Sequence, residues 1–362
     1  MSETTTPNVD RDCSDEIVAA IQQARSTKKP LCISAGGSKR DLLGRSCDAE
    51  EFNIAQHRGI IDYQPRELVI TVRAATPITE ILATLATQEQ TLAFEPPQFG
   101  GSATLGGTLA CNLSGPARPF AGSVRDMVLG VQLINGVGES LGFGGRVMKN
   151  VAGYDVSRLQ AGAMGTLGVL TQISIKVLPQ PEKQLSLSYE MSAAEAVTVM
   201  NERACEAKPL TGAYWVNDQL HLRLAGAATA VNHTAQQWGG DTAADDDTHW
   251  SQLRDWTLPF FSGDAPLWRL SHSPTAPVAQ TLGDTLIDWA GAQRWVRGEQ
   301  TPGAVKKIAI AAGGHATLVR GGDRSGEVRL ALSPVEQRLQ QRLKLAFDPQ
   351  GVLNPGRLYR WM

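Results

Sequence analysis

The sequence lacks several features that mark common protein classes. Its five cysteines are scattered through 362 residues, and no CxxC pair occurs. This usage fits a reducing compartment and argues against an iron–sulfur cluster or a structural zinc on this chain. No run of 18 apolar residues occurs, so we expect no membrane-spanning helix. The polar, acidic N-terminus does not have the pattern of a secretion signal.

An excess of charge of either sign is also missing. The 34 basic and 36 acidic side chains leave a net charge of -2, whereas a nucleic-acid-binding protein usually carries a basic excess. A hydrophobic content of 42% excludes a disordered chain. Glycine is the abundant residue instead. Of its 36 copies, 16 fall in the 75 residues from Pro96 to Leu170, which hold only eight charged residues.

Composition and periodicity divide the chain into two unlike halves near residues 176–184. Seven of the eight tryptophans follow, between Asn201 and Gln300, where we predict core or subunit interface. Helical patterns are predicted from Ser14, from Thr76 as N-cap with Pro77 as first residue, and over Ala193–Cys205 and Val335–Ala346. Strands or hairpins are predicted at Leu31–Ser34, Leu68–Arg73, Val128–Phe143 (turning at Asn135-Gly136), Val169–Leu178 and Gly212–Leu224, and a solvated loop at 244–247.

Two glycine-rich segments suggest a bound phosphate or a larger ligand. SAGGSK, residues 34–39, follows a predicted strand, and its consecutive amides can form a phosphate-binding nest; the alternative is an ordinary glycine turn. It is neither a Walker loop nor a GxGxxG fingerprint. Residues 99–126 place small hydroxyls and amides among six glycines, which suits a ligand cradle better than a bare surface loop.

Two further segments fit the same interpretation. In residues 147–171, Gly162, Gly165 and Gly168 recur every third residue before a strand, as expected of a backbone pressed against a planar group. The alternative is a helix, a turn and a strand, with Asp155 and Arg158 as an internal ion pair. The last segment, LNPGRLY at 353–359, is otherwise a simple C-terminal turn.

Together these segments resemble the FAD-binding domain of the PCMH-type flavoproteins, also called the vanillyl-alcohol oxidase type. The resemblance rests on GGSKRDLLG (36–44), SATLGGTLACNLSG (102–115), MKNVAGYDVSRLQAGAMGTLGVLT (148–171) and FDPQGVLNPGRLY (347–359). More narrowly, RPFAGSVRDMVLG (118–130), FGGRVMKNVAGYDVSRL (143–159) and AGGHATLVRGGD (312–323) resemble the smaller, FAD-binding flavin subunits of bacterial glycolate oxidases.

The resemblance implies an α+β fold: a PCMH-type, two-subdomain FAD-binding fold, then a short α+β cap, then a C-terminal tail that returns to the flavin. We place the FAD-binding domain at 1–181, with a subdomain break near 60–66. The cap, a substrate-like domain, is placed at 182–334, and the C-terminal helix and tail at 335–362.

The resemblance also implies which residues hold FAD. The diphosphate would be held by Gly36, Gly37, Ser38 and Lys39. The flavin and its phosphates would lie near Thr104, Gly106 and Gly107, and the flavin and ribityl chain would be lined by Gly115, Gly122 and Ser123. The ring system and adenine side would be contacted by Gly162, Thr166, Gly168 and Val169, with Asn354 approaching the ring from the tail.

The chain departs from this family at its histidines. Some members attach FAD covalently through His, but Ser38-Lys39 stands at that place and no His lies between His57 and His221, so we predict non-covalent FAD. The larger 2-hydroxy-acid dehydrogenases carry paired metal ligands in the cap; this chain has no HxH or HxxxH there, and we predict no metal site. Two catalytic candidates remain: Arg269, to pair a substrate carboxylate, and His315, as an acid or base; for both, a structural role is the favoured alternative.

The resemblance implies a subunit of a glycolate oxidase (glycolate dehydrogenase) complex that oxidises glycolate to glyoxylate. It implies two partners, a larger catalytic flavin subunit and an iron–sulfur subunit, with electrons passing to a quinone or another acceptor. The expected location is the cytoplasm, with membrane attachment only through partners. Two alternatives stay open: a stand-alone FAD-dependent D-2-hydroxy-acid dehydrogenase of the D-lactate type, and a non-redox assembly subunit.

Overall fold

The computed structural model describes residues 10–145, 155–243, 248–279 and 283–362. Nine strands in these ranges precede residue 180: β1 (Leu31–Ser34), β2 (Glu50–Asn53), β3 (Ile60–Gln64), β4 (Val69–Arg73), β5 (Gln90–Thr91), β6 (Val128–Ile134), β7 (Ser140–Gly144), β8 (Val169–Lys176) and β9 (Leu178–Pro179). Eight follow: β10 (Lys183–Glu190), β11 (Leu210–Val216), β12 (Gln219–Gly226), β13 (Asp241–Ala243), β14 (Leu267–Ser271), β15 (Asp284–Asp288), β16 (Gln293–Arg297) and β17 (His315–Arg320).

Helices lie between many of these strands in the described residues. They are α1 (Ser14–Thr27), α2 (Ile78–Ala86), α3 (Leu105–Cys111), α4 (Arg118–Ala121), α5 (Val124–Met127), α6 (Val156–Leu159), α7 (Ala193–Cys205), α8 (Ala228–Trp238), α9 (Thr248–Asp255), α10 (Pro302–Ala311) and α11 (Pro334–Phe347). Short 3₁₀ turns lie at Pro65–Glu67, Pro259–Phe261 and Trp289–Gly291. None of the described helices is long and apolar enough to cross a membrane. The mixture confirms the predicted α+β class.

A five-stranded antiparallel sheet forms the centre of the first half, in the order β3-β4-β8-β6-β7. Ile173 of β8 lies opposite both Val72 and Val131, so apolar residues line one face of three neighbouring strands. The buried faces of α2 and α3 pack on that face, where Ile81 and Leu109 are fully buried. Removing this apolar surface from water is the main stabilising contribution here.

An eight-stranded antiparallel sheet dominates the second half, and we call it the cap sheet. Its order is β13-β10-β12-β11-β15-β16-β14-β17. The outer face carries Trp268 and Leu318 against α10. The inner face carries Trp295 into a cluster with Leu43 and Met164 of the first half, so the two halves share one core. Six of the seven tryptophans between residues 201 and 300 are buried, which places them in the core: Trp238, Trp250, Trp256, Trp268, Trp289 and Trp295.

The chain's end returns to its first strand. Leu31 of β1 forms a parallel bridge with Leu353. Its amide donates to the Val352 carbonyl at 2.7 Å, and its carbonyl accepts from the Asn354 amide at 2.9 Å. The tail therefore acts as an added strand beside β1, next to the glycine-rich loop that follows β1.

Two local predictions are wrong in detail. Pro77 is the N-cap of α2, not its first helical residue, because the Thr76 hydroxyl already bonds both backbone groups of Gly59. The hairpin β6–β7 does not turn tightly at Asn135-Gly136. The Asn135 amide donates to the Glu139 carbonyl across a longer loop, and Gly138 has the positive φ, +86°. A prediction of a solvated loop at 244–247 lies outside the described residues.

Candidate functional site

A large cavity opens where β1, the start of α3, residues 164–170 and the tail meet. It has a volume of about 350 Å³. Small-molecule sites usually measure about 300–1,000 Å³, so this cavity has the size of a ligand site, and its lining extends from β1 to the tail. Ten predicted cofactor residues line it: Gly36, Gly37, Ser38, Lys39, Thr104, Gly106, Gly107, Gly168, Val169 and Asn354.

The loop after β1 supplies the floor of one end of this cavity. A Cβ on Gly36 would lie 1.7 Å from the Ser102 carbonyl oxygen, so only glycine lets the loops at 36 and 102 touch. Gly37 has a φ of +72°, and nothing lies within 4 Å of the place where its Cβ would be. The loop thus presents bare backbone toward open space, as a phosphate-binding nest requires.

Lys39 brings an unneutralised positive charge to this loop. Its side chain is buried, and Nζ donates only to Ser38 Oγ, at 3.1 Å. No acidic side chain among the described residues pairs with it. Burial lowers the pKa of Lys39 to about 8, and the nearby Cys111 opposes that shift. A buried ammonium without a counter-ion is costly, and an anionic ligand would remove that cost.

Arg357 of the tail fixes the conformation of the same loop, and its role was not predicted from the sequence. Its guanidinium donates to three backbone carbonyls of the loop, those of Lys39 (2.9 Å), Arg40 (2.5 Å) and Arg45 (2.5 Å). One feature of the sequence indicated this role: Arg357 in LNPGRLY has no acidic neighbour along the chain, so its partners must come from elsewhere in the fold.

Asn354 fastens the tail to two walls of the cavity. Its Oδ1 accepts from the Ile33 amide at 2.7 Å, and its Nδ2 donates to the Met164 carbonyl at 2.6 Å. A Cβ on Gly165, whose φ is +71°, would lie 2.6 Å from that Nδ2. The polar atoms of Asn354 are therefore engaged within the protein, although the residue also lines the cavity. Its contact with a flavin ring stays a prediction.

The other five predicted cofactor residues lie outside the cavity lining. They take part in packing and caps in the described residues: Gly115, Gly122, Ser123, Gly162 and Thr166. The Gly115 carbonyl, for example, accepts from Trp289 Nε1 at 3.0 Å. The Ser123 hydroxyl donates to Asp126 at 2.7 Å in a capping box. Part of the third motif, at 146–154, falls outside the described residues. The roles of these five residues stay predictions.

The two catalytic candidates lie on the same, inner face of the cap sheet. Arg269 of β14 is paired with Trp295 on one side and with Thr317 on the other. Thr317 is in turn bridged to Arg329. Because directly opposed residues of antiparallel strands share a face, these side chains form one row. His315 lies opposite Ser271, two residues along from Arg269, and so belongs to that face as well.

Arg269 and Arg329, which we call the arginine pair, have no acidic partner among the described residues. No hydrogen bond to the Arg269 side chain is found there. The Arg329 side chain donates only to the Met164 sulfur, at 3.6 Å, and its Nε is unpaired. Burial first, and then the charges of Arg329 and Arg118, lower the pKa of Arg269 to about 10. Such a pair attracts an anion, and a guanidinium fork fits a carboxylate. Arg329 and Arg118 were not foreseen from the sequence.

Cys111 and Met164 connect the arginine pair to the cavity. Both line the cavity. Cys111 lies close enough for its charge state to act on Arg269 and Arg329, as well as on Lys39. Arg269, Arg329 and His315 themselves lie outside the lining of this cavity, so their place in a substrate site stays a prediction.

His315 has the protonation state of a base at neutral pH. Burial lowers its pKa below the usual 6.5, and the charges of Arg269 and Arg329 lower it further. The imidazole is therefore neutral near pH 7 and can accept a proton.

These residues fit FAD as a ligand. A dinucleotide needs an extended cavity, a nest of bare backbone and a positive charge for its diphosphate. The space at β1, the Gly36–Gly37 backbone and the unpaired Lys39 provide all three.

Comparisons with known proteins agree with this arrangement. A family model described as an FAD binding domain matches residues 12–144. The glycolate oxidase subunit GlcE of Escherichia coli is 45% identical over 348 residues, covering 96% of this chain and 98% of that protein. The glycolate oxidase subunit GlcD of Bacillus subtilis is 30% identical over 204 residues, covering 55% of this chain and 43% of that protein.

A solved structure shows the same fold at low sequence identity. The 4-ethylphenol oxidase from Gulosibacter chungangensis aligns with a TM-score of 0.67 and 12% identity, over 96% of this chain and 88% of that one. With the match of the family model, the predictions of an FAD cofactor and a PCMH-type fold are confirmed.

Proposed function

Because this chain belongs to the GlcE family of glycolate oxidase subunits, FAD-binding proteins of the PCMH type, we propose that it works in a complex that oxidises glycolate to glyoxylate. The observation that carries this proposal is the 45% identity to GlcE over nearly the full length of both chains. The family as a whole consists of FAD-binding oxidoreductases, and the names GlcE and GlcD denote subunits of a multi-subunit glycolate oxidase.

The arginine pair supports a 2-hydroxy-acid substrate. A small carboxylate would relieve the mutual repulsion of Arg269 and Arg329 and be oriented by them. His315, on the same face, would then take the proton of the substrate hydroxyl, because its lowered pKa leaves it neutral. FAD, when bound, supplies an acceptor for the two electrons removed from the substrate.

The proposal also includes partners and the path of the electrons. We assign the larger catalytic flavin subunit and an iron–sulfur subunit as partners, with a quinone or another acceptor beyond them. The scattered cysteines support a cytoplasmic location, with membrane association only through partners. The division at 181 and 334 is supported by the change from the five-stranded sheet to the cap sheet and then to α11.

The test is turnover by the purified chain alone and with its co-expressed partners, using glycolate or D-lactate and a dye acceptor. We expect the lone chain to hold FAD but to turn over slowly, and the complex to prefer glycolate. Robust turnover by the lone chain would favour a stand-alone D-2-hydroxy-acid dehydrogenase. A complex that keeps full activity without FAD on this chain would favour an assembly role.

The FAD is expected to be non-covalent, since Ser38-Lys39 stands in place of the attaching His. After acid precipitation we expect the yellow colour in the supernatant. Colour that stays with the precipitated protein would contradict this expectation.

A further inference from the structure

Two cysteines flank the phosphate-binding loop and face the cavity. Cys32 lies on β1, before the loop, and Cys47 lies just before β2, after it. Both are half-buried free thiols, and both line the cavity together with Gly36–Lys39. A bond between them would close the loop at its base.

The two thiols line the same wall of the cavity and are close enough for each to influence the ionisation of the other. A hydrogen bond between Cys32 and Cys47 is the largest single cause that lowers the pKa of Cys32, to about 6, against the opposing effect of burial. The same contact raises the pKa of Cys47 well above its usual range. Arg357 and Arg40 also favour the Cys32 thiolate.

Acidic side chains near the pair oppose this ionisation only weakly. Glu51 raises the pKa of Cys32, and Asp48 raises that of Cys47. Glu51, however, is engaged by Arg40 and by the Ser34 hydroxyl, which donates to it at 2.7 Å. Cys32 is therefore the more readily ionised thiol of the two and the nucleophile, and Cys47 is the resolving thiol.

We propose that Cys32 and Cys47 form a peroxide-sensitive dithiol in the wall of the FAD cavity, which is oxidised to a disulfide when FAD is not bound. The Cys32 thiolate attacks the O–O bond of a hydroperoxide, forms a sulfenic acid and releases hydroxide, or an alkoxide from an organic hydroperoxide. The Cys47 sulfur then attacks the Cys32 sulfur, and water leaves. The two thiols supply the two electrons that reduce the peroxide.

The flavin-free state is the vulnerable one because the thiols and FAD share the cavity. Bound FAD would cover both sulfurs and place its negative diphosphate near the Cys32 thiolate, which disfavours that thiolate. If only the FAD-free form reacts, FAD at about 100 times its Kd slows oxidation roughly 100-fold. The pair therefore reports whether the chain is loaded.

The experiment exposes FAD-free and FAD-loaded full-length chain to hydrogen peroxide, then blocks free thiols and maps peptides by mass spectrometry. We expect a Cys32–Cys47 cross-linked peptide in the FAD-free chain, reversed by dithiothreitol, and roughly 100-fold slower formation with saturating FAD. Exposed Cys205 on α7 is the internal reference, and its oxidation should not respond to FAD.

Variants separate the two roles. In Cys47→Ser, dimedone should trap a sulfenic acid on Cys32, whereas in Cys32→Ser, labelling of Cys47 should not exceed that of Cys205. Cys205→Ser is the matched control and should cross-link like the wild type. Equal labelling of Cys47 and Cys32, no cross-link in the FAD-free chain, or oxidation at the same rate with and without FAD would overturn the proposal. Circular dichroism confirms that each variant is folded.

Discussion

Lys39 in the cavity wall and Arg269 under the cap sheet carry positive charges without acidic partners in the described part of the chain. There, Lys39 Nζ donates only to the neighbouring Ser38 hydroxyl, and the Arg269 side chain makes no hydrogen bond. Each is destabilised by burial, as the lowered pKa values of about 8 and about 10 record. An ordinary stabilising residue would be paired, so this cost indicates ligand binding.

For Lys39 we expect a measurable loss of FAD affinity on substitution. Lys39→Met removes a charge-assisted contact to the diphosphate, worth about 1.5–3 kcal/mol, so the Kd for FAD should rise about 10- to 100-fold in a flavin fluorescence titration. With a Lys39 pKa of about 8 in the free chain, the wild-type Kd should also rise about tenfold between pH 7 and pH 9, because the ammonium is lost. The variant should lack this pH dependence.

Lys307→Met, which removes an exposed lysine on α10 of the cap, is the matched control. It should leave both the Kd and its pH dependence unchanged. A Lys39→Met chain with wild-type FAD affinity would place the diphosphate elsewhere.

For Arg269 and His315 we expect coupled effects on the pH profile of the assembled complex. His315→Gln should lower kcat about 10²- to 10⁴-fold, the usual contribution of a general base. In the wild type, kcat/KM should rise with pH through a value below 6.5, as His315 loses its proton. Arg269→Met should lower kcat/KM about 10- to 100-fold and move that midpoint upward, because a charge that lowers the pKa of His315 is gone.

The controls are His233→Gln on α8 and Arg297→Met at the C-terminal end of β16, where Arg297 pairs with Asp284. Both should retain the wild-type profile. An Arg269→Met profile with an unmoved midpoint would show that the two residues do not share a site.

Helix α11 and the tail act as one element because a single lysine joins them to the FAD half. Lys344 Nζ donates to Asp348 Oδ2 (2.7 Å) and to the carbonyls of Thr166 (2.8 Å) and Leu353 (2.9 Å). Asp348 also accepts from two tail amides. Most of the remaining surface of α11 is exposed, so this buried network determines where the helix ends and where the tail begins.

Breaking this network should weaken both the fold and FAD binding. Lys344→Met leaves Asp348 buried and unpaired, at a cost of about 3–5 kcal/mol, and we expect Tm to fall on the order of 10 °C. The Kd for FAD should rise as well, since Asn354 and Arg357 follow in the same tail. Arg342→Met, exposed on the same helix, is the control. A lower Tm with unchanged FAD affinity would mean that the tail does not shape the cavity.

The sequence predicted those helices and strands whose bounds depend on residues close together in the chain. β1 and α7 begin and end at the predicted residues, since a short apolar run and a capping box specify them. The β6–β7 turn was missed because Gly136 packs against Asp348 of the distant tail, with its amide on the Phe347 carbonyl at 2.8 Å. The loop at 36–39 was singled out by its glycines and does line the cavity, while its role in holding the diphosphate stays a prediction. Arg118 and Arg329 were not singled out, because only the folded cap sheet brings them near Arg269.

At the scale of the whole molecule, the proposed electron path continues on partner subunits. The sequence offers no CxxC motif, and no group of three metal-binding side chains occurs in the described residues. We therefore expect the purified chain to contain FAD but no iron, and the co-purified complex to contain both, by flavin absorbance and metal analysis. Stoichiometric iron in the lone chain would contradict the assignment of the iron–sulfur subunit.

The bridge between Leu31 and Leu353 has a consequence for the order of biosynthesis. More than 300 residues separate the two strands, and a ribosome adding about 5–20 residues per second needs tens of seconds to span them. Until residues 353–357 emerge, β1 lacks its neighbour and the loop at 36–45 lacks Arg357. The nascent chain therefore cannot complete its cofactor pocket before that stretch has left the ribosome.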